Sequence, residues 1–173
     1  MIGDLDWVPA ADHPDLLAEP VRTALVPQAQ VAGIDPELAD TAAFCERYGV
    51  PLGVSANCVI VAAKRGGEIG MAACMVLATH RADVNGVVRR HLGARKVSFA
   101  PMEEATRLSG MEYGGITPLG LPPEWPVLVD EAVAAEPYVV IGSGLRRSKL
   151  LVPGKALAAL DPAEVIALGR PVA

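Results

Sequence analysis

Aromatic side chains are scarce in this sequence, because tryptophan, tyrosine and phenylalanine together make up 4% of its 173 residues. Apolar residues nevertheless account for 51% of the chain, so the interior must be built mainly from alanine, valine and leucine. Glycine (17) and proline (15) are frequent but follow no period, which excludes a collagen-like chain. A chain of this length and composition can bury one sizeable core, and we expect one main domain.

Long hydrophobic runs are also lacking, since no segment approaches the roughly 18 uninterrupted apolar residues of a membrane span. Residues 1–20 contain four aspartates and one glutamate, with no basic leader and no long apolar stretch, which does not fit a signal peptide. We therefore expect a cytoplasmic protein with no membrane partner.

Cysteine and histidine are few. Cys45, Cys58 and Cys74 are an odd number with no Cys-x-x-Cys pair, which predicts reduced, buried thiols rather than disulfides or a structural zinc site. The three histidines are scattered along the sequence, so a metal or catalytic-base role is disfavoured. We expect no metal and no other cofactor.

Positive charge is in deficit, with a formal net charge of −5. A broad nucleic-acid-binding face works mainly by neutralising phosphates, so this balance argues against one. We expect no DNA partner, and any contact with RNA must be local.

Residues 1–33 are acidic and interrupted by four prolines, and we interpret them as a partly ordered N-terminal extension before a domain at 34–173. The patterns predict helices at 35–49, 83–93, 101–108, after Asp130 and near 155–160, and strands at 57–63, 70–78, 96–99, 127–129, 138–141, 149–152 and 165–168. Because hairpins alternate with single helices, the expected fold class is α+β, with a mixed, mostly antiparallel sheet and flanking helices.

A long irregular stretch at 110–126 contains four glycines and four prolines, and loops of this length in a compact domain are often functional. Gly114 and Gly115 let the backbone approach a ligand closely. Pro118 fixes its own φ and lacks an amide donor, which leaves the neighbouring N–H groups to bind a carbonyl oxygen or an oxyanion. The alternative is a rigid turn that only connects two elements.

The run Gly-Gly-Ile-Thr-Pro-Leu-Gly at 114–120, preceded by the strand at 95–100 and followed by 126–130, resembles the YbaK/ProX family of aminoacyl-tRNA deacylases. That family also occurs as the editing insertion of bacterial prolyl-tRNA synthetases, and the resemblance extends from about Pro36 to the C-terminus. It implies an α+β fold and hydrolysis of the ester that joins a wrong amino acid to the tRNA 3′ end, without a metal or a protein nucleophile. The implied partner is the aminoacyl-tRNA 3′ end, with an aminoacyl-tRNA synthetase or elongation factor as a further candidate.

The resemblance also implies a set of site residues. A Gly-x-x-Pro loop surrounds the ester in the family and corresponds here to Gly115, Ile116, Thr117 and Pro118, next to Gly114. A serine-glycine pair at a strand end corresponds to Ser143 and Gly144, and Ser143 would orient the amino acid or the water.

One family feature is absent. The family carries a lysine on its first buried strand, which contacts the ribose-phosphate end of the substrate, and the matching residue here is Asn57. A neutral amide can hydrogen-bond a hydroxyl but cannot form an ion pair with a phosphate. Lys149 or Arg81 could supply the cation, although either could equally be a solvated surface charge. Arg146 and Arg147 adjoin the expected pocket and are candidate phosphate contacts.

Three hypotheses follow from the sequence. The leading one is a stand-alone editing deacylase that uses a metal-independent, backbone- and substrate-assisted mechanism. The second is a non-catalytic module that binds aminoacyl-tRNA or a small ligand, with Asn57 in place of the family lysine. The third is hydrolysis of another small ester or amide without any tRNA.

Overall fold

The computed structural model describes residues 2–172 and consists of short helices packed on three sheets. The strands are β1 (Val8–Pro9), β2 (Gln30–Gly33), β3 (Ala56–Arg65), β4 (Glu68–Leu77), β5 (His80–Ala82), β6 (Lys96–Phe99), β7 (Val127–Asp130), β8 (Val139–Gly142), β9 (Ser148–Val152), β10 (Ala163–Ile166) and β11 (Gly169–Pro171). The helices are α1 (Glu19–Arg22), α2 (Thr41–Tyr48), α3 (Arg89–His91), α4 (Met102–Ser109), α5 (Glu131–Ala134) and α6 (Gly154–Ala158).

The sheets confirm the expected fold class. The five-stranded sheet has the order β10-β7-β4-β3-β6, in which β7 runs parallel to β4 and β10 while the other pairs are antiparallel. The four-stranded sheet, β1-β2-β9-β8, is antiparallel throughout, and β5 pairs with β11 in a small antiparallel ribbon. The fold is therefore α+β with mixed, mostly antiparallel sheets.

The β3–β4 hairpin is the centre of the five-stranded sheet. Its register runs without a break from Ala56 opposite Leu77 to Arg65 opposite Glu68. Gly66 and Gly67 turn the chain with φ of 57° and 85°, and a two-residue turn of type I′ requires a positive φ at both positions. The strands predicted at 57–63 and 70–78 are therefore confirmed as neighbours in this hairpin.

The core has one layer on each face of this hairpin. The main cluster fills the space between the five-stranded and four-stranded sheets, with Ile60 and Met75 from one and Ile141 and Leu150 from the other. A second cluster covers the opposite face, where Val61 and Cys74 pack against the segment 84–92. Apolar side chains alternate between both clusters, which explains why β3 and β4 are apolar almost throughout.

The segment 35–49 contains two helical pieces instead of the single helix predicted. Asp35 accepts a hydrogen bond from the Glu37 N–H (2.9 Å) and begins only a 3₁₀ turn, Pro36–Leu38. Asp40 then adopts an extended backbone (φ −64°, ψ 137°), and α2 runs from Thr41 to Tyr48, followed by Gly49 as its C-cap with φ of 66°. The extended residue breaks the helix, and it leaves Ala39 buried, Asp40 exposed and Thr41 half-buried.

The N-terminal residues contribute to the sheet and the core. Val8 in β1 pairs with Val31 in β2, and β2 pairs in turn with β9. Ala10, Leu17 and Val21 are at most 1% exposed. The domain boundary after residue 33 stays a prediction.

Cys45 and Cys74 are buried, as the sequence predicts, whereas Cys58 is only half-buried, and all three cysteines are free. Burial raises the pKa of Cys74 to about 12, which keeps it a neutral thiol. In the part of the chain that the structure describes, no helix is long and apolar enough to cross a membrane.

Candidate active site

A pocket of about 230 Å³ opens where the start of α2, the start of β3 and the long irregular loop meet. Its floor is formed at the end of the four-stranded sheet, where Gly142 in β8 lies opposite Lys149 in β9. The lining residues are Ala39, Asp40, Thr41, Ala56, Asn57, Cys58, Met102, Tyr113, Gly114, Ile116, Gly142 and Lys149. The pocket therefore collects Asn57, Gly114, Ile116 and Lys149 from the residues singled out in the sequence.

The loop wall of the pocket, residues 112–116, is held by backbone hydrogen bonds to the turn after β8. The Gly144 N–H donates to the Gly115 carbonyl (2.7 Å), and the Glu112 N–H donates to the Gly144 carbonyl (2.8 Å). A Cβ at Gly142 would lie 2.5 Å from the Gly115 carbonyl oxygen, so this close backbone approach requires glycine at 142. The sequence interpretation missed Gly142, although a glycine ending a buried strand signals such an approach.

Tyr113, Gly114 and Ile116 in the loop wall have N–H groups without a hydrogen-bond partner among the described residues. The Gly115 N–H donates to the Glu112 carbonyl (3.0 Å), and the Thr117 N–H is directed at the Met111 sulfur (3.4 Å). The N–H groups of Gly114 and Ile116 form no hydrogen bond within residues 2–172, and both residues line the pocket. Of the proposed loop donors, these two are the ones the geometry leaves open.

Thr117 and Pro118 lie behind the loop wall. Thr117 is fully buried, and Pro118 lines a separate depression together with Leu119 and Gly120. Thr117 and Pro118 do not line the pocket, and they affect it only through the backbone conformation that follows Ile116.

Ser143 and Gly144 also support the wall from behind. The Ser143 side chain is buried, its Oγ lies 2.7 Å from Ser148 Oγ, and it accepts a hydrogen bond from the Leu145 N–H (3.2 Å). Because neighbouring strand residues point to opposite faces, Gly142 faces the pocket while Ser143 faces away. Neither Ser143 nor Gly144 is a lining residue.

Asn57 stands on the opposite wall, which consists of side chains from α2, β3 and β9. The Thr41 hydroxyl donates to Asn57 Oδ1 (2.5 Å). This contact fixes the amide so that its NH₂ group remains as the donor end. Sequence reasoning missed Asp40 and Thr41, although an aspartate followed by a helical run is a helix-start pattern and competed here with Asp35 and Pro36.

Lys149 supplies a buried cation beside Asn57. The residue is 8% exposed, its Nζ donates to the Ala39 carbonyl (2.9 Å), and the ammonium lies 5.2 Å from the centroid of the Phe44 ring. Burial lowers the pKa of Lys149 to about 8, with Cys45 and Asp40 acting in the opposite direction. The ammonium therefore remains protonated at neutral pH.

Arg146 does not line the pocket, but it contacts two residues that do, Tyr113 and Asp40. Its Nη1 donates to the Tyr113 carbonyl (3.0 Å) and its Nη2 to the Pro36 carbonyl (3.0 Å), and the guanidinium lies 5.8 Å from the centroid of the Tyr113 ring. Nη1 is also 4.0 Å from Asp40 Oδ1. Arg146 thus joins the loop wall to the segment that precedes α2.

The other two predicted cations lie elsewhere. Arg147 is bonded through Nη2 to the Asp15 carbonyl on the N-terminal segment. Arg81 is exposed in β5, opposite Arg170 of β11. Neither lines the pocket.

A comparison with protein families matches residues 35–160 to the aminoacyl-tRNA editing domain. The matched region contains every residue that lines the pocket. The chain belongs to the aminoacyl-tRNA editing domain family. A search of curated proteins found no match.

Solved structures share the fold of this editing domain. A crystal structure of a candidate trans-editing enzyme for prolyl-tRNA synthetase aligns with a TM-score of 0.75 at 22% identity, over 95% of this chain and 99% of the other. A hypothetical protein aligns with a TM-score of 0.74 at 21% identity, over 83% of this chain and 92% of the other. A scaffold protein used for computational epitope grafting has a TM-score of 0.75 at 21% identity, over 94% and 98% of the two chains. At these identities the likeness shows the fold.

Proposed function

We propose that this editing domain is a stand-alone aminoacyl-tRNA deacylase that hydrolyses the ester of a mischarged tRNA. The observation that carries the proposal is the convergence in one pocket of two free amides, at Gly114 and Ile116, with a buried ammonium at Lys149. An ester needs donors for its carbonyl oxygen, and a charged tRNA end needs a cation for its phosphate.

The free amides suit the acyl carbon of the substrate. The carbonyl oxygen accepts hydrogen bonds from Gly114 and Ile116, and these strengthen as a water molecule, oriented by the neighbouring ribose hydroxyl, attacks the carbon. The bond from the carbonyl carbon to the ribose oxygen then breaks, and that oxygen takes a proton. When water attacks, the products are the free amino acid and the uncharged tRNA. An amide donor of this kind is worth about 3 kcal/mol of transition-state stabilisation.

Lys149 takes the part of the family lysine that Asn57 replaces. Both side chains line the same pocket, so an ammonium from β9 can serve the end of the substrate that an ammonium from β3 would serve. The Asn57 NH₂ group remains as a donor for a ribose hydroxyl. This arrangement keeps one cation and one neutral donor on the side-chain wall.

The pocket volume favours a small acyl group. A volume of about 230 Å³ lies below the roughly 300–1,000 Å³ of sites for drug-sized ligands. The acyl group enters, and the nucleotide stays at the mouth. The 3′ end of aminoacyl-tRNA is thus the proposed partner, and an aminoacyl-tRNA synthetase or elongation factor is a further one.

A deacylation assay tests the proposal. The wild-type protein is incubated with a panel of tRNAs carrying alanine, serine, cysteine or proline, and the remaining ester is measured against uncatalysed hydrolysis. We expect turnover of at least one small aminoacyl ester, and a loss of turnover in Gly142→Ala, which disturbs the free amides. Absence of turnover across the panel would contradict a deacylase.

A non-catalytic binding module is the second candidate, and the hydrogen bonding of the side-chain wall favours it. Asn57 Oδ1 is engaged by Thr41, and the Lys149 ammonium already donates to the Ala39 carbonyl. A tRNA whose amino acid is joined by a 3′-amide distinguishes the two functions. Binding of this analogue without turnover of any ester supports the module, whereas indifference to every tRNA favours hydrolysis of another small ester.

A further inference from the structure

The Asp40 carboxylate lies at the pocket with its side chain 71% exposed, and among the described residues it forms no capping hydrogen bond and no ion pair closer than 4.0 Å. Asp40 is the N-cap residue of α2, yet its side chain makes no capping hydrogen bond. The nearest cation is Arg146, whose Nη1 is 4.0 Å away, at the limit of an ion pair. The Arg146 hydrogen bonds go instead to the carbonyls of Pro36 and Tyr113.

The Asp40 carboxylate lies over the loop wall. A Cβ built on Gly114 would be 3.7 Å from Asp40 Oδ1 and nearer still to Arg146 Nη1, so the carboxylate and the guanidinium both lie close to the residue whose free N–H is proposed to hold the ester carbonyl. In an aminoacyl ester the α-ammonium is two bonds from the carbonyl carbon. A substrate bound at the Gly114 amide therefore brings its ammonium within reach of Asp40.

The charges of the other lining residues leave Asp40 as the group that can receive this ammonium. Lys149 is a cation, and Thr41 and Asn57 are neutral and bonded to each other. Among the described residues that line the pocket, Asp40 is the one with a carboxylate. A cationic α-amino group entering beside Lys149 needs this negative charge to offset repulsion.

On these grounds, and resting on the proposed deacylase function, we infer that Asp40 recognises the α-ammonium of the substrate. The site then selects esters of free amino acids and disfavours esters whose α-nitrogen is absent or acylated. Asp40 acts as a specificity-determining residue, since it contacts the substrate without touching the ester bond.

The test compares each aminoacyl-tRNA that the wild type hydrolyses with its α-hydroxyacyl analogue, in which a hydroxyl of similar size replaces the ammonium. We expect the wild type to prefer the amino form by about 10- to 100-fold in kcat/KM, as for loss of a charge-assisted hydrogen bond. In Asp40→Asn this preference falls to within about threefold, because kcat/KM decreases for the amino form alone. Glu46→Gln, an exposed acid on the same helix, serves as the matched control and retains the wild-type preference.

The possible failures can be told apart. If Asp40→Asn lowers kcat/KM equally for both forms, or leaves the preference unchanged, the inference is wrong while the deacylase function stands. If the wild type hydrolyses no member of the alanine, serine, cysteine and proline panel, the function itself fails and the inference fails with it. Partial recovery of the preference in Asp40→Glu supports recognition by charge.

Discussion

The two walls of the pocket are built in different ways. The loop wall, residues 112–116, is fixed by backbone hydrogen bonds to Gly144 and by a glycine contact at 142. The opposite wall presents the side chains of Thr41, Asn57 and Lys149, which belong to three separate elements. The loop wall depends on the path of the main chain. The opposite wall depends on which side chains line the pocket.

Under the proposed function, this difference accounts for a chain that has the Gly-x-x-Pro loop at 115–118 but Asn57 at the position expected to be lysine. A backbone donor cannot be moved without moving the chain, so the loop wall tolerates little change in its glycines. An ammonium can enter the same pocket from β3 or from β9, because side chains from both strands line it. The side-chain wall can therefore exchange residues while its charge is retained.

Gly142→Ala is the strongest way to break the loop wall. The new Cβ would lie 2.5 Å from the Gly115 carbonyl oxygen and 2.8 Å from that of Ile116, so the loop must move. We expect a loss of about 1–3 kcal/mol in the free energy of unfolding, and a fall in kcat/KM on the order of 100-fold from displaced amides. Urea denaturation and the deacylation assay measure the two effects.

Gly70→Ala is the matched control for this variant. Gly70 is likewise a strand glycine, in β4, but a Cβ there meets no atom within 4 Å. We expect wild-type activity and nearly unchanged stability. If Gly70→Ala lost as much activity and stability as Gly142→Ala, alanine would be harmful at any strand glycine. The contact between residues 142 and 115 would then have no special role.

Lys149→Met tests the side-chain wall. Methionine keeps much of the side-chain length and removes the charge, so we expect kcat/KM to fall by about 10- to 100-fold with stability unchanged or improved, because a buried charge no longer has to be desolvated. The double variant Lys149→Met with Asn57→Lys returns an ammonium to the pocket from β3. Partial recovery in the double variant is the expected result, and equal inactivity of both would show that Lys149 does more than supply a charge.

The pH dependence of Lys149 gives a third test. Its pKa is about 8 in the folded protein against 10.5 for a free side chain, so between these values the unfolded chain binds more protons. The free energy of unfolding of the wild type should therefore rise relative to Lys149→Met between about pH 8 and 10.5. Affinity for the 3′-amide tRNA analogue should fall through about pH 8 as the ammonium is lost. If the free energies of unfolding of wild type and Lys149→Met changed in parallel with pH, the first expectation would be contradicted. If their affinities for the analogue changed in parallel, the second would be contradicted.

The fold class could be predicted from the sequence because the local patterns are strong in the β3–β4 hairpin, which is the centre of the five-stranded sheet. Strand runs and glycine turns gave the hairpin, since Gly66 and Gly67 are positions at which few other residues fit. The helix expected from Asp35 was misjudged because two start patterns lie five residues apart, and the extended Asp40 breaks the helix between them. A local pattern cannot decide between such competitors when tertiary contacts determine the outcome.

The loop wall of the site was also within reach of the sequence, because glycine and proline spacing specifies backbone shape. The opposite wall was not. Asp40 and Thr41 enter the pocket through the broken helix, and Lys149 through the register of β9 against β8. Such juxtapositions depend on which elements pack together. Arg81 and Lys149 therefore could not be ranked from sequence, since both are cations near strand ends.

Arg81→Met is the matched partner of Lys149→Met and should have the smallest effect. Arg81 is exposed in the β5–β11 ribbon and does not line the pocket, and exposed charges usually change stability by less than about 0.5 kcal/mol. We expect kcat/KM to stay within about twofold of wild type when measured with the same aminoacyl-tRNA. If Arg81→Met lowered kcat/KM as much as Lys149→Met does, the phosphate contact would belong to the β5–β11 ribbon. The substrate-binding surface would then extend beyond the pocket that Lys149 lines.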